Sequence, residues 1–589
     1  MSETSRRTVL AGAAGVLAAA GFQQTARAEE NGVRRPFTLT VLGTTDLHGN
    51  VFNWDYYANR EFDDSGHNDI GLAKVSTLVN ALREQRGRHR TLLVDAGDTI
   101  QGTPLAYYFA KVEPINRSRI HPMARAMNAI GYTAAALGNH EFNYGIPLLR
   151  AWERQLDFPL LAANALDPRG KPAFRPYVIK TIWRTGGPPL RVGIIGLTNP
   201  GIAIWDKANV TGQMTFPGVL EQARIWVPEV RRRADVVVVA AHSGADLSSS
   251  LGDQVPFPEN CSALVAEEVP GIDAILVGHA HAEIAQRFVT NKQTGKQVLL
   301  TEPLFWGKRL SVMEFDLAYE RGWQIKAKRS QVLNSNTAPE DPRIVRLLRP
   351  SHDKVVGYVN AKVGTCKAAM SAATARYEDT AALDFINHVQ AQEIKKATQL
   401  PVLSLCAPFN RAAAIPAGEV TIRDVAGLYI FDNYLLGVKL TGAQLKDFLE
   451  RSATYFKQVD GPGPYTPDQL GNGVPDYNYD VAAGLDKPLT YDIDIAKPQG
   501  QRIANLSYGG VPVTAEQEFA VAVNNYRQSG GGNFPHVAKA PVLHNAQQEI
   551  RQLLIDWVKE KGEIDPALFH TKDWRLVANG VPVQITTNG

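Results

Sequence analysis

Five short polar clusters, each placed directly after an apolar run, constrain this chain more than any other feature of its sequence. The apolar runs have the character of short strands, and amphipathic helical patterns separate them. Strands that alternate with helices predict an α/β fold. Polar residues on the loops after buried strands are where such folds place active sites. The predicted strands cover residues 38–43, 91–94, 133–137, 192–197, 236–241 and 274–277.

The clusters supply the residue types that bind two divalent cations. Such a pair needs carboxylate, imidazole and amide ligands that converge on one point, with one carboxylate shared. Asp46 and His48 are two residues apart in an extended segment and therefore share a face, and His279 and His281 repeat this spacing. A lone histidine after a strand is more often structural, but five clusters in this order predict a two-metal site. The candidate ligands are Asp46, His48, Asp98, Asn139, His242, His279 and His281.

The clusters also carry a resemblance to a known family. The motifs TDLHGN at 45–50, DAGD at 95–98, GNHEF at 138–142, HSG at 242–244 and GHAH at 278–281 resemble those of the calcineurin-like metallophosphoesterases. The second half of the chain is similar to the 5′-nucleotidase C-terminal domain.

Within that family the chain most resembles the bacterial periplasmic 2′,3′-cyclic-nucleotide 2′-phosphodiesterase/3′-nucleotidases. Asn143 stands where 5′-nucleotidases typically have Asp, and His281 where many of them have Gln. The sequences at 491–498 and 524–527 also resemble the cyclic-nucleotide branch. Gly532 replaces a further Asp of the 5′-nucleotidases.

The domain organisation follows from the length, the helical pattern and the resemblance. A chain of 589 residues is too long for one hydrophobic core. The resemblance implies a four-layer α/β/β/α sandwich over 36–335 and a mixed α+β substrate-binding domain over 363–580. An apolar pattern that starts at Ile344 and is interrupted at Pro350 predicts a connector helix between them, over 336–362.

The resemblance assigns roles to the candidate site residues. It implies that Asp46, His48, Asp98 and His281 hold one metal, that Asp98, Asn139, His242 and His279 hold the other, and that Asp98 is shared. The ions are divalent, from among Zn, Mn, Co and Fe. His140 is implied to stabilise charge on the phosphoryl group, with Asn143 against its ring. An amide can hydrogen-bond that ring but cannot hold it cationic by opposite charge, so the family's His–Asp dyad is not carried over.

The second domain is expected to recognise a nucleotide. By resemblance, Phe431 and Tyr526 sandwich the base, because stacking favours nucleosides while tolerating different bases. Asn433 is a candidate to contact a base edge, and Arg411 is a candidate to contact phosphate or ribose.

The predicted function is therefore hydrolysis of 2′,3′-cyclic nucleotides to 3′-nucleotides, and of 3′-nucleotides to nucleoside and phosphate. The first alternative is a broad 5′-nucleotidase or UDP-sugar hydrolase with the same fold and metals. A second is a sulfur-oxidation thiohydrolase of the same superfamily. A third is a non-catalytic binding protein on a degenerate scaffold, which predicts missing ligands, whereas all seven candidates are present.

The first 28 residues resemble a twin-arginine export signal. Arg6 and Arg7 precede an apolar run, and Ala26-Arg27-Ala28 is a cleavage pattern. The run is too short and too rich in Ala and Gly for a stable membrane anchor. The sequence therefore predicts the twin-arginine export machinery as a partner, cleavage near Ala28, and a periplasmic or secreted product.

Charge and cysteine content limit the other partners. The net charge is +3, and no long run of Lys or Arg occurs, so polymeric nucleic acid is not an expected partner. Cys261, Cys366 and Cys406 are too few for a disulfide scaffold, and which of them pair, if any, is left open. We expect a monomer.

Overall fold

The computed structural model of this chain describes residues 37–184, 187–247, 257–546 and 548–586. The described chain forms two compact units, and the boundary between them falls at residues 355 and 356. The export signal predicted at residues 1–28 lies outside the described residues. Within the described ranges, no helix combines the length and the apolar character needed to span a membrane.

The first unit contains two six-stranded sheets. Its strands are β1 Phe37–Thr44, β2 Thr91–Asp95, β3 Ala134–Ala136, β4 Leu160–Leu161, β5 Tyr177–Ile182, β6 Leu190–Leu197, β7 Val236–Ala241, β8 Ala274–Val277, β9 Glu283–Thr290, β10 Gln297–Pro303, β11 Arg309–Tyr319 and β12 Trp323–Asn334. One sheet has the order β12-β11-β1-β2-β3-β4, and the other has the order β5-β6-β7-β8-β10-β9. All six strands predicted from the sequence are present.

The parallel strands at the centre of each sheet place the polar clusters together. Strands β1 to β4 are mutually parallel, and so are β6, β7 and β8. Parallel neighbours end at the same edge of a sheet, where the loops that follow them meet. The five clusters follow β1, β2, β3, β7 and β8. The fold therefore brings residues that are far apart in the sequence to the carboxyl ends of the two sheets.

Four layers make up the first unit. A buried apolar layer between the sheets includes Leu39 and Val41 of β1 and Val192 and Ile194 of β6. The outer face of the second sheet packs against the helices Val219–Arg231 and Ser262–Glu268, and the helix Leu72–Arg86 packs against the first sheet. Shorter helices are Pro104–Tyr107, Pro122–Ile130, Ile146–Glu153, Ile202–Trp205 and Lys207–Val210. The predicted α/β/β/α sandwich is confirmed.

A helix spans Pro342–Val359 and contains the boundary between the two units. It lies inside the span predicted for the connector, but the predicted interruption at Pro350 is wrong, because the helix continues through this residue. Proline removes one intrahelical hydrogen bond and bends a helix, which does not necessarily end it.

The second unit mixes helices with four sheets. Its strands are β13 Lys362–Cys366, β14 Met370–Ser371, β15 Val402–Cys406, β16 Ala414–Ile415, β17 Gly418–Thr421, β18 Leu435–Thr441, β19 Val481–Gly484, β20 Leu489–Asp494, β21 Ile503–Tyr508, β22 Val511–Pro512, β23 Glu518–Asn524, β24 Val542–His544, β25 Glu563–Ile564, β26 Trp574–Ala578 and β27 Val581–Pro582. Its helices are Ala381–Lys395, Ile422–Leu428, Gly442–Ala453, Pro467–Leu470, Asn525–Gln528 and Ile550–Lys561.

Two five-stranded sheets dominate this unit, in the orders β19-β15-β23-β18-β24 and β22-β21-β20-β26-β27. The smaller sheets have the orders β17-β13-β25 and β14-β16. This arrangement agrees with the mixed α+β fold that the resemblance implies. The three cysteines are buried and unpaired.

Candidate active site

The structure brings the seven predicted metal ligands together in two groups. Asp46, His48 and His281 form one group, and Asp98, His242 and His279 form the other. Within each group the candidate ligand atoms lie within 4.8 Å of one another. Asn139 joins the second group, because its Oδ1 lies 3.1 Å from His242 Nε2. The assignment of each residue as a ligand stays a prediction, and the geometry described below is what supports it.

Five of these residues have a left-handed backbone, which only glycine adopts without strain. A non-glycine residue in such a conformation costs on the order of 1–3 kcal/mol and persists where its surroundings impose it. Here two hydrogen bonds join the loop after β1 to the loop after β2. The backbone amide of Asp46 donates to the carbonyl oxygen of Gly97, and that of His48 donates to the carbonyl oxygen of Asp98, both at 2.8 Å. The φ angles are 51° for Asp46, 47° for His48, 60° for Asp98, 79° for His279 and 55° for His281.

The surroundings of His242 fit a cation. Its Nδ1 lies 2.9 Å from the carbonyl oxygen of Ala96, which can only accept, so Nδ1 carries a proton. Its Nε2 faces Asp98 Oδ2 at 3.0 Å and Asn139 Oδ1 at 3.1 Å, and both of these atoms are acceptors. Without a cation, burial lowers the pKa of His242, but the charges of Asp98 and Asp46 outweigh it and raise this pKa to about 10. A divalent ion in place of the Nε2 proton would be bound by the Nε2 lone pair, Asp98 Oδ2 and Asn139 Oδ1, and would satisfy all three atoms.

The first group shows the same pattern. His48 Nδ1 lies 3.0 Å from the carbonyl oxygen of Gln101, and burial lowers the pKa of His48 to about 4, so Nε2 of the neutral ring carries a lone pair. Asp46 Oδ1 is buried and has no hydrogen-bond partner among the described residues. It lies 3.9 Å from His48 Nε2 and 3.3 Å from His281 Nε2. A carboxylate oxygen left without a donor between two imidazoles fits a divalent cation.

Asp46 Oδ1 also lies 3.9 Å from His242 Nε2 in the second group, but the shared role is the one that the resemblance implies for Asp98, which reaches both groups as well. Its Oδ2 lies 3.0 Å from His242 Nε2 in one group and 3.9 Å from His48 Nε2 in the other. Burial raises the pKa of Asp98, but the charges of His242 and His140 prevail and hold it well below its usual range. Asp98 is therefore ionised, as a carboxylate shared by two cations must be.

His140 lies beside the two groups and has a fixed partner. Its Nδ1 is 2.6 Å from Asn143 Oδ1, and its Nε2 is 3.9 Å from Asp98 Oδ2. Asn143 Nδ2 in turn donates to Asp206 Oδ1 at 2.9 Å. Burial lowers the pKa of His140, whereas Asp98, Asn143 and Asp206 act in the opposite direction and raise it overall. Sequence reasoning missed Asp206, which lies outside every motif.

Glu141 supports the loop that carries Asp98. Its carboxylate accepts hydrogen bonds from the backbone amides of Gly138 at 2.7 Å, Asp98 at 2.9 Å and Thr99 at 2.5 Å. The side chain is fully buried. The sequence analysis did not select this residue, although it lies inside the motif at 138–142.

Three further residues that the sequence analysis missed orient the two histidines after β8. Glu259 Oε1 lies 2.8 Å from His279 Nε2, a contact that fixes which ring nitrogen faces the site. Trp205 stacks on His279 with centroids 5.6 Å apart, and Phe305 stacks on His281 with centroids 4.6 Å apart. All three lie outside the motifs, so no local pattern indicated them.

The predicted base-stacking residues of the second unit lie at adjacent strand ends. Strand β18 pairs antiparallel with β23, so the residues before β18 lie beside those after β23. Phe431 precedes β18, and Tyr526 follows β23. The backbone amide of Tyr434 donates to Asn525 Oδ1 at 2.8 Å and holds the two segments together. Both predicted stacking rings are partly exposed.

Aromatic and glycine contacts support these two rings. Phe431 makes edge contacts with Phe409 and Tyr477, with centroids 5.5 and 6.1 Å away. The Tyr526 ring packs directly on Gly531, where an added Cβ would lie 2.4 Å from the ring. A glycine is therefore required for this ring to keep its place.

Of the two remaining predicted substrate contacts, Arg411 has a structural partner. Arg411 is exposed, and its Nε donates to Asp476 Oδ2 at 2.7 Å. Asn433 is partly buried and follows Asp432, which pairs with Arg551 at 2.7 Å. The substrate roles of Arg411 and Asn433 stay predictions.

Two family models match this chain. Residues 39–283 match the model described as calcineurin-like phosphoesterase. Residues 355–539 match the model described as 5′-nucleotidase, C-terminal domain.

Individual relatives are similar along most of the chain. A Salmonella typhimurium protein named 2′,3′-cyclic-nucleotide 2′-phosphodiesterase/3′-nucleotidase is 34% identical over 91% of this chain and 88% of that protein. The trifunctional nucleotide phosphoesterase protein YfkN of Bacillus subtilis is 35% identical over 90% of this chain, which spans 38% of that longer protein. The crystal structure of a putative 5′-nucleotidase from Staphylococcus aureus has a TM-score of 0.73 at 26% identity, covering 92% of this chain and 99% of that one.

Proposed function

We infer that this chain, which belongs to the family of metallophosphoesterases that join a calcineurin-like phosphoesterase domain to a 5′-nucleotidase C-terminal domain, hydrolyses 2′,3′-cyclic nucleotides to 3′-nucleotides. The same site then converts 3′-nucleotides to nucleoside and phosphate. The observation that carries this proposal is the 34% identity to a relative of that name, which extends over 88% of the relative's length.

The residues of the first unit support phosphoester hydrolysis. Asp98 and the six other predicted ligands would hold two divalent cations, which would supply Lewis-acid stabilisation of phosphoryl charge and lower the pKa of a bound water. His140 Nδ1–H donates to Asn143 Oδ1, so a ring that is protonated on both nitrogens, in agreement with its raised pKa, can donate from Nε2 to a phosphoryl oxygen. The His140 side chain is 31% exposed, whereas that of Asp98 is 2% exposed, so of these two groups the imidazole is the one that substrate can reach.

The residues of the second unit support a nucleotide as the substrate. Phe431 and Tyr526 present partly exposed rings from adjacent segments, and a nucleobase offers each of them a π-face. Stacking tolerates different bases, so we propose a broad base range.

We expect 2′,3′-cyclic AMP and 3′-AMP to be hydrolysed with a kcat/KM at least about tenfold above that of 5′-AMP, a difference of about 1.4 kcal/mol in transition-state binding. The reason is that Asn143 and Gly532 stand where 5′-nucleotidases carry acidic residues. Gly532 has a φ of 77°, and a Cβ there would lie 2.6 Å from Asn478 Oδ1, so this backbone does not accept an aspartate without strain. Phosphate release from the three nucleotides in one defined metal buffer measures the ratio. A preference for 5′-AMP would instead assign the chain to the 5′-nucleotidase alternative.

We also propose that the twin-arginine machinery exports this protein to the periplasm. Replacing both Arg6 and Arg7 by Lys should leave nearly all of the precursor in the cytoplasm, because that route reads the arginine pair. Fractionation followed by immunoblotting measures the distribution. Arg27→Lys, which changes an arginine outside the pair, is the matched control and should be exported normally. Normal export of the double variant would point to the general secretory route.

A further inference from the structure

Asp206 is a buried carboxylate that contacts the partner of His140. It lies between the short helices Ile202–Trp205 and Lys207–Val210 and is 4% exposed. Its Oδ1 accepts a hydrogen bond from Asn143 Nδ2 at 2.9 Å. The motif that contains His140 is more than sixty residues away in the sequence.

The carboxylate determines how the Asn143 side chain is oriented. Burial raises the pKa of Asp206 to about 6, so above that pH the side chain is an ionised carboxylate with no proton to donate. Only the Nδ2 of a carboxamide can then satisfy it. Asn143 Oδ1 must then face the other way, where it lies 2.6 Å from His140 Nδ1. An acceptor oxygen at this distance requires a proton on Nδ1 and leaves Nε2 as the nitrogen that faces substrate. If the carboxamide were reversed, its NH₂ group would face the Nδ1–H, two donors would oppose each other, and the hydrogen bond that holds the ring would be lost.

The segment around Asp206 also holds the backbone next to His140. Asn209 Nδ2 donates to the carbonyl oxygens of Phe142 and Asn143, both at 3.0 Å. The Asn209 backbone amide donates to the Asp206 carbonyl oxygen at 2.8 Å. One short segment thus fixes both the side chain and the main chain of Asn143.

We propose that Asp206 is a positioning residue, which fixes the Asn143 carboxamide and through it the orientation of the His140 ring, with Nδ1 held by Asn143 Oδ1 and Nε2 facing substrate. The inference rests on the role of His140 in phosphoester hydrolysis proposed above. The three residues form a relay of imidazole, amide and carboxylate, in which the formal charge lies one residue away from the ring. The relay acts on the reaction rather than on base recognition, so it should matter equally for substrates with and without a nucleobase.

Removal of the carboxylate tests the relay. Asp206→Ala should lower kcat about tenfold to a hundredfold, the usual scale for a residue that orients an active-site histidine, with KM largely unchanged. Bis-p-nitrophenyl phosphate and 3′-AMP should suffer alike. Asp206→Asn keeps the volume and should lose less, because its own amide can still accept from Asn143 but no longer dictates one orientation. Asp492→Asn is the matched control, because Asp492 also accepts a hydrogen bond from an asparagine side chain, that of Asn505, at 2.7 Å. This variant should keep wild-type kcat on bis-p-nitrophenyl phosphate.

Exchanging the two side chains is the sharper test. Asn143→Asp alone places two carboxylates where atoms are now 2.9 Å apart, and it should lose activity. Adding Asp206→Asn restores a donor opposite the new carboxylate, which then accepts from the amide introduced at position 206 and from His140 Nδ1. The double variant should therefore recover most of the activity that Asn143→Asp loses. A purely structural role of Asp206 predicts instead that the two losses multiply, and that result overturns the proposal.

A readout that does not depend on bound metal or turnover completes the test. NMR spectra of metal-free protein labelled with ¹⁵N-histidine provide this readout. The signals of His140 are assigned as those that disappear in the His140→Gln variant. The wild-type shifts should report a hydrogen-bonded proton on Nδ1, and Asp206→Ala should move the Nδ1 shift toward that of an unprotonated nitrogen. Unchanged shifts in Asp206→Ala, or wild-type kcat in that variant, would overturn the relay.

His140→Ala separates this inference from the proposal on which it rests. We expect a loss at least as large as that of Asp206→Ala. Full activity of His140→Ala would show that the proposed role of His140 is wrong and the relay with it. Loss in His140→Ala together with full activity in both Asp206 variants would reject the relay alone. If Asp206→Ala does not fold, Asp206→Asn and the exchanged pair decide the question.

Discussion

Asp98→Asn and His242→Ala should each lower kcat/KM at least about a thousandfold on every phosphoester substrate, the scale seen when a main charge-stabilising group is removed. Asp98 Oδ2 lies 3.0 Å from His242 Nε2 and 3.9 Å from His48 Nε2, so it contacts both groups. Its replacement by a neutral amide weakens both cation sites at once. His242→Ala removes a nitrogen that faces only acceptor atoms and leaves Asp98 and Asn139 without their common partner.

Metal content and folding must be measured beside the kinetics. Elemental analysis of the purified variants should show the loss of at least one ion per chain. The metal-free variants should melt cooperatively, because both side chains lie on loops after the strands rather than in the apolar layer between the sheets. Asp63→Asn and His67→Ala are matched controls, since these two residues pair with each other at the surface at 3.0 Å. Wild-type turnover of Asp98→Asn or His242→Ala in saturating metal would refute the site.

The strands and the convergence of their polar clusters were predictable because both depend on local pattern. An apolar run followed by Asp-x-His or Gly-Asn-His indicates a strand and its loop without any knowledge of the partners. The rule that parallel strands end at the same edge then brings Asp46 and Asp98 together on one sheet, and His242 and His279 together on the other. The seven ligand candidates follow from these two steps.

The residues that orient the ligands were not predictable in this way. Asp206 contacts Asn143 across 63 positions, and Glu259 contacts His279 across 20. No periodic pattern in the sequence indicates either contact, because each depends on where an irregular segment folds back onto the site. The left-handed backbone at Asp46 and His279 was equally invisible. Asp and His adopt this conformation more often than most non-glycine residues, but it is still uncommon for them, so residue type alone does not predict it.

The helix through Pro350 shows tertiary structure overriding a local rule. A proline inside a helix costs about 3 kcal/mol, which justifies the interruption predicted from the sequence. In the structure Ile344, Leu348 and Val355 are fully buried on both sides of it. Burial of a Val, Leu or Ile side chain contributes roughly 1.5–3 kcal/mol, so three such residues outweigh one proline.

Phe431→Ala and Tyr526→Ala should each lower kcat/KM for 2′,3′-cyclic AMP and 3′-AMP about tenfold to a hundredfold. Stacking of a base on an aromatic ring contributes about 1–3 kcal/mol by truncation, which converts to this range. Bis-p-nitrophenyl phosphate has no nucleobase and should lose much less, because the metal ligands and His140 are untouched. Steady-state kinetics on the three substrates, with the two variants beside wild type, measure this selectivity.

Conservative variants of the same positions separate stacking from packing. Phe431→Tyr and Tyr526→Phe keep a six-membered ring and should stay close to wild type on all substrates, since a π-face is what a base requires. Truncation at Tyr526 also exposes the surface of Gly531, which the ring now covers, so thermal unfolding must be compared with wild type. A folded variant that loses activity on nucleotides alone supports the base-stacking role. Equal losses on nucleotides and on bis-p-nitrophenyl phosphate would mean that the two rings maintain the structure of the second unit, and the base-stacking assignment would have to be abandoned.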